Sequence, residues 1–423
     1  MDKKGHFMNK EKSIYRNNIV KAVVSIFLCI SLVLGMTGCG LSSDKEKKDE
    51  VTSDVTSEKK DDEKKLTKED YMIKANDYLK NMTLEEKIGQ LFVVNLEQLD
   101  YGKGSFFEWR KCTEKMKKSI KKYHPGGVIL FSRNIADRKQ TIKLLSDMQS
   151  SSTIPLFTTV DEEGGDVARI ASNPKMNTTS FPAMEQIGKE KDSEYVEQMG
   201  ETIANDIKGL GFNVDFAPVA DVKTSKLNQE IGTRSFGDDP DKVADMVEAF
   251  VRGMQGQNIS ATIKHFPGQG SSKGDTHVES VNIDSSITAL RDFDFVPFKA
   301  GIDADADFTM VSHISVSKVK ETSQPASMSK LIMQTILRDE LGFQGIIITD
   351  AMDMASITDN YTAAEAAYGA ISGGADIVLM PTDFESAYNE ILSKVKEGKI
   401  SEKRIDESVL RILTVKFYRG LME

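Results

Sequence analysis

Cysteine is almost absent from this chain: three in 423 residues, at positions 29, 39 and 112. Cys29 lies in an apolar N-terminal run and Cys39 just beyond it, which leaves Cys112 with no partner for an intramolecular disulfide. No CxxC pair or Cys/His ligand spacing occurs, so no structural zinc site is expected, and stability has to come from core packing. Histidine is nearly as scarce, at five residues. Basic charge is also in deficit. With 55 Lys and Arg against 65 Asp and Glu, the formal net charge of −10 argues against nucleic acid as a partner. The apolar run Ala22–Leu34 is too short for a comfortable membrane span.

That run follows Lys3, Lys4, Lys10, Lys12, Arg16 and Lys21 and leads into Gly35-Met36-Thr37-Gly38-Cys39. A positive segment, a short apolar core and small residues before a cleavage point describe an export signal, and the final stretch resembles the lipobox of bacterial lipoproteins. The resemblance implies that residues 1–38 are removed and that Cys39 carries lipid. It also implies more than one acyl chain, since a single one anchors only marginally. The product would be extracytoplasmic and lipid-anchored to the bacterial membrane. A plain secretory signal with an incidental cysteine is the alternative. Residues 39–70 are almost entirely Lys, Asp, Glu, Ser and Thr; lacking apolar side chains to offset ordering entropy, they are expected to form a disordered charged tether. Residues 71–423 then form the folded part, about 350 residues, a size that (β/α)8 barrels reach as one domain.

Within it, short apolar runs alternate with longer amphipathic stretches. The runs are Gln90–Val94, Gly127–Phe131, Leu156–Val160, Asn213–Ala217, Ser260–Lys264, Asp307–Val311, Gly345–Ile348 and Asp376–Met380. β-branched runs without clean alternation suit strands buried on both faces, as in a parallel sheet. Between them, Val243, Met246, Val247, Phe250 and Met254 follow Asp239-Pro240 at the spacing of one helix face, with Asp239 placed to cap and Pro240 in the first turn. Val196, Met199, Ile203, Ile207 and Leu210 repeat that spacing, and Gly209 or Gly211 can end the helix. Eight strands separated by helices predict an α/β fold, a (β/α)8 TIM barrel, with a doubly wound open sheet as the rival.

Polar residues recur where the runs end: Asp161, Asp221, Lys264 with His265, His313 and Asp350. The C-terminal ends of barrel strands are where active sites are built. His277 stands two residues after Asp275 in a loop rich in Gly and Ser; an imidazole beside a carboxylate can give and take a proton near neutrality. An exposed loop histidine near a surface acid is the plainer reading. Asp350, emerging from Ile346-Ile347-Ile348-Thr349, can be a nucleophile, a base, a metal ligand or merely a helix cap, with Asp353 as a weaker rival. Asp161 with Arg169 combines a carboxylate and a guanidinium, both suited to hydroxyl-rich ligands; Arg234, in Gly232-Thr233-Arg234-Ser235-Phe236-Gly237, offers a second fork. His265 and His313 leave a metal-dependent hydrolase as a competitor, although the first strand ends in Val93-Val94-Asn95 with no histidine.

Together these segments resemble glycoside hydrolase family 3, in its β-N-acetylhexosaminidase branch. The similarity rests on Asp161-Glu162-Glu163-Gly164-Gly165 through Arg169, Gly232-Thr233-Arg234-Ser235-Phe236, Lys264-His265-Phe266-Pro267-Gly268 with Asp275-Thr276-His277, and Thr349-Asp350-Ala351-Met352, in the family's order. It spans residues from about 70 to 423. The resemblance implies a retaining, metal- and cofactor-free β-N-acetylglucosaminidase acting on N-acetylglucosamine-containing saccharides or muropeptides. Asp350 matches the nucleophile, His277 the acid/base and Asp275 its dyad partner; Asp161, Arg169, Arg234, Lys264 and His265 match sugar-binding positions. β-Glucosidase or glycoside phosphorylase activity on the same scaffold, and a non-catalytic sugar-binding lipoprotein, are the alternatives. Two departures stand out: Gln269 where the family often has His, and Asp166 where it often has Arg. A C-terminal α/β sandwich, present in some members, is not expected.

Overall fold

The computed structural model describes residues 66–104, 107–318 and 324–423. The export signal, Cys39 and nearly all of the tether lie outside the described residues. A helix at Lys68–Leu79 begins slightly before the boundary expected at residue 71, because Thr67 and Asp70 form a capping box. Each satisfies the other's free backbone N–H, which starts a helix even in a charged stretch.

Eight parallel strands follow: β1 (Phe92–Val94), β2 (Gly127–Ile129), β3 (Phe157–Val160), β4 (Val214–Asp215), β5 (Ser260–Phe266), β6 (Phe308–Val311), β7 (Ile346–Ala351) and β8 (Ile377–Leu379). Each pairs with its successor, and β1 pairs with β8, Phe92 opposite Val378, so the sheet closes into a barrel. Closure removes the edges an open sheet would expose, and the open-sheet alternative falls. All eight apolar runs became barrel strands. β4 is short because Pro218, with no N–H to donate, interrupts the ladder, which resumes with Val219 beside Lys264.

β5 and β7 run beyond their expected ends. Both are irregular there: the register shifts between Ile263 and Phe266 against β6, and between Ile348 and Ala351 against β8. Such bulges turn side chains away from the regular pleat, and these two carry Lys264, His265 and Asp350. The helices pack as their patterns predict. Ser193–Lys208 and Pro240–Gly256 bury Val196, Met199, Ile203, Val243, Val247 and Phe250, and Asp239 caps the second. They touch backbone to backbone: a Cβ on Gly253 would lie 2.1 Å from the Glu197 carbonyl oxygen.

The two ends of the barrel use charge differently. At the N-terminal end, buried carboxylates tie helices to strands. Asp376 takes Arg338, Arg411 and the Ser408 hydroxyl, and Asp307 takes Arg419 and Ser260. At the C-terminal end, charge lines a cavity. Among the described residues, no helix is long and apolar enough to cross a membrane.

Candidate active site

The cavity at the C-terminal mouth encloses about 640 Å³, and Asp161, Arg169, Arg234, Lys264, His265, His277 and Asp350 all line it. Seven of the eight catalytic and sugar-binding residues expected from the sequence thus meet in one place; the eighth, Asp275, sits behind His277.

An ion-paired wall rises from β3 and β5. Lys264 Nζ lies 3.0 Å from Asp161 Oδ1 and 2.6 Å from Glu163 Oε1. The other side of Glu163 receives Arg234 in a fork, Nε to Oε2 at 2.9 Å and Nη2 to Oε1 at 2.7 Å. Burial alone would favour the neutral acid, but Arg234 and Lys264 overcome it and hold the Glu163 carboxyl far below the ordinary carboxylate range. Burial works against Lys264 as well, yet the charges of Glu163 and Asp161 raise its affinity for the proton. The Gly164-Gly165 turn that presents these acids has positive φ at both residues. It links two short antiparallel strands, Glu162–Gly164 and Val167–Ala168, and brings Arg169 back to the rim. Arg169 Nε is buried without a hydrogen-bond partner among the described residues. Asp166, one of the family departures, accepts from the Thr233 hydroxyl at the edge of this wall.

His265 is fixed from below. Asp221, wholly buried, lies 2.7 Å from His265 Nδ1 and also accepts from the backbone N–H groups of His265 and Gln269. With Nδ1–H donated to Asp221, Nε2 accepts from Arg234 Nη2 at 3.3 Å. His313 does not reach the cavity lining. Its Nδ1 meets the Ser327 hydroxyl at 2.8 Å and its Nε2 the Ala351 carbonyl at 2.9 Å, and burial lowers its proton affinity. Both imidazoles are engaged by protein groups, so the competing metal-ligand reading gains no support from this pair. Among the described residues, the one group of three with cation-binding geometry is Glu230, Asp275 and His277.

Asp350 is the penultimate residue of β7, partly exposed to the cavity, with Oδ1 accepting from the Ala351 N–H at 2.8 Å. Burial resists its ionisation, but the imidazoles of His265, His313 and His277 and the Ala351 N–H outweigh it and hold the carboxyl below the usual range. A carboxylate so held is ionised at neutral pH. Asp353 lines the same cavity from a more exposed position.

The loop after β5 brings His277 over this floor. Its Nδ1 is 2.9 Å from Asp275 Oδ1, and the His277 side chain is 60% exposed. The loop is docked rather than free: the Thr276 and His277 carbonyls accept from the N–H groups of Ser356 and Ala355 at 3.3 and 3.4 Å. Across the cavity, Arg133 pairs with Glu97 at 2.9 Å, among Phe131, Met354 and Met380.

Three residues escaped the reading of the sequence as site residues: Glu163, Asp221 and Glu230. Asp221 was visible as a polar residue past a strand end and Glu163 as part of an acidic run, but nothing local marked Glu163 as the shared partner of Arg234 and Lys264. Glu230 carried no signal.

The mouth of the closed barrel thus brings together an ionised carboxylate on the floor, paired cations and acids along one wall, and a histidine–carboxylate pair above. Residues 83–415 match the Glycosyl hydrolase family 3 N terminal domain, and the chain belongs to that family. It is 33% identical over 326 residues to Beta-hexosaminidase A of Pseudoalteromonas piscicida, across 70% of this chain and 54% of that protein, so it spans about half of that relative. It is 35% identical over 261 residues to Beta-hexosaminidase of Stenotrophomonas maltophilia, across 60% of this chain and 76% of the relative. In structure it is similar to a glycoside hydrolase family 3 beta-N-acetylglucosaminidase from Paenibacillus sp., with a TM-score of 0.75 and 32% identity, covering 80% of this chain and 63% of the other.

Proposed function

We propose that this protein is a retaining exo-β-N-acetylglucosaminidase that removes terminal non-reducing N-acetylglucosamine from cell-wall or chitin-type fragments. One observation carries the reading: the His277–Asp275 pair stands on a docked loop at the mouth of a cavity whose floor holds ionised Asp350. Asp350 attacks the anomeric carbon as the glycosidic bond breaks, and the bonding electrons leave with the aglycone oxygen. That oxygen takes a proton from His277 Nε2, the nitrogen left free when Nδ1 faces Asp275. Water then attacks the glycosyl ester, gives its proton back to Nε2 and releases Asp350. A histidine replaces the second carboxylate of most glycosidases but does the same two tasks. Asp161, Arg169, Arg234, Lys264 and His265 bind the sugar, where charged forks and carboxylates pair with hydroxyl and acetamido groups.

The test is turnover of an aryl β-N-acetylglucosaminide against the matching glucoside, with and without phosphate. The expected result is phosphate-independent hydrolysis, preference for the N-acetyl sugar and initial release of the β-anomer. Asp350→Asn should lose at least about 1,000-fold in kcat, since the nucleophile is removed with its shape kept. No turnover, or full rate in Asp350→Asn, would overturn the reading. Preference for glucoside, or cleavage that needs phosphate, would replace it with the β-glucosidase or phosphorylase alternative.

We infer also that Cys39 anchors the chain by lipid outside the cytoplasmic membrane, a reading supported by the order of residues around it. Cys39→Ala should abolish both incorporation of labelled fatty acid and sedimentation with membranes. Retention of both would refute the anchor.

A further inference from the structure

Glu230 lies in the segment after β4, and the reaction just described does not use it. Its side chain is 2% exposed. Two donors of one residue satisfy the carboxylate: Thr276 N–H to Oε2 at 3.1 Å and Thr276 Oγ1 to Oε1 at 2.5 Å. Oε1 also lies 3.5 Å from His277 Nδ1, so Glu230 and Asp275 face the same ring nitrogen from opposite loops. The backbone of Glu230 is itself fixed, because its carbonyl accepts from Arg234 Nη1 at 3.1 Å. On the far side, Ala355 and Ser356 hold the His277 and Thr276 carbonyls. The dyad loop is therefore gripped between the segment after β4 and the segment that follows Asp350.

We propose that Glu230 is a positioning residue that locks the loop at Thr276, so that His277 Nε2 faces the glycosidic oxygen before substrate arrives. The physical reason is satisfaction of a buried charge. Should the loop lift, the carboxylate would lose both protein donors and would have to replace them with water from the cavity it lines, so the docked loop is favoured. A loop that would otherwise have to close on substrate is thus held closed at rest, and the ordering it requires is already met. The inference rests on the reading of His277 as acid/base.

Its test compares two aryl N-acetylglucosaminides, one with a 2,4-dinitrophenyl leaving group that departs without a proton and one with a 4-methylumbelliferyl group that needs more help. Misplacing the acid should lower kcat/KM on the second substrate and spare the first. Glu230→Gln and Thr276→Val should each lose about 10- to 100-fold on the methylumbelliferyl substrate. On the dinitrophenyl substrate each should stay within about threefold of wild type, and inhibition by N-acetylglucosamine should not change. The double variant should be no worse than Glu230→Gln alone, because both changes cut one contact. If Glu230→Gln does not fold, Thr276→Val carries the comparison. Equal losses on both substrates, or a loss accounted for by weaker sugar binding, would overturn the proposal. His277→Ala separates the two layers of argument. If it shows the leaving-group dependence and the Glu230 and Thr276 variants do not, positioning by Glu230 is wrong and the acid/base stands. A wild type without turnover overturns both.

Discussion

Glu163→Gln is the sharpest perturbation of the site wall, because it keeps the side chain's shape and removes one charge. The carboxylate serves two cations at once, Arg234 through a fork and Lys264 at 2.6 Å, all three nearly excluded from water. Removing one partner of a buried pair costs about 3–5 kcal/mol, because the opposite charge is stranded. Asp161 still serves Lys264 at 3.0 Å, which places the expected loss at the low end, about 3 kcal/mol. For a domain of this size that corresponds to a fall in Tm of roughly 4 °C. The effect carries a pH signature. Since the folded carboxyl titrates below its unfolded value, its contribution is complete above the ordinary glutamate value of about 4.3 and declines as the pH falls below it. The gap between wild type and variant should therefore be constant from about pH 5 to 8 and narrow in acid. Denaturant unfolding followed by circular dichroism measures it. A variant within about 1 kcal/mol of wild type at pH 7 would refute the argument that this carboxylate holds the wall together.

Two further outcomes follow from buried groups elsewhere. Lys416 is fully buried, with no carboxylate paired to it among the described residues, hydrogen-bonded to Gln90 and the Gly126 carbonyl, and burial pushes its pKa down to about 7. Between that value and the unfolded value of about 10.4 the unfolded chain holds the extra proton, so the stability of wild type relative to Lys416→Met should rise with pH, by up to about 1.4 kcal/mol per unit. A difference that stays flat across this window would show that Lys416 is charged in the fold. Gly253→Ala places a methyl 2.1 Å from the Glu197 carbonyl oxygen; it should destabilise by about 1–3 kcal/mol in thermal unfolding, and an unchanged Tm would mean that the two helices part easily.

The barrel was legible because strands buried on both faces write themselves as unbroken apolar runs, from GVI in β2 to IVL in β8. Asp161, Lys264, His265 and Asp350 were legible as mouth residues for a related reason: polar residues at or directly after the ends of such runs have few places to go except the mouth. What stayed hidden were contacts between distant segments. Glu163 finds Arg234 and Lys264, Asp221 finds His265, and Glu230 finds Thr276, each across loops whose register only the closed barrel sets. No pattern of period two or 3.6 encodes such a meeting. His313 shows the reverse: it stands at a strand end and looked chemical, yet it props the Ala351 carbonyl beside Asp350. The irregular ends of β5 and β7 were likewise unreadable, since a bulge is a mismatch between two strands and belongs to neither alone.

The helix Glu402–Tyr418 and the residue after it send four basic side chains under the barrel. Arg404 reaches the Ala375 carbonyl, Arg411 reaches Asp376, Lys416 reaches Gln90 and Arg419 reaches Asp307. The ring itself closes only when β8 finds β1. This helix thus supplies counter-charges to Asp376 and Asp307, which stand at the N-terminal ends of β8 and β6. Without this helix all eight strands would remain, but Asp307 would keep Lys68 at 3.7 Å and Asp376 would keep Arg338 as their counter-charges, so the underside of the barrel would be weakened without the ring being opened.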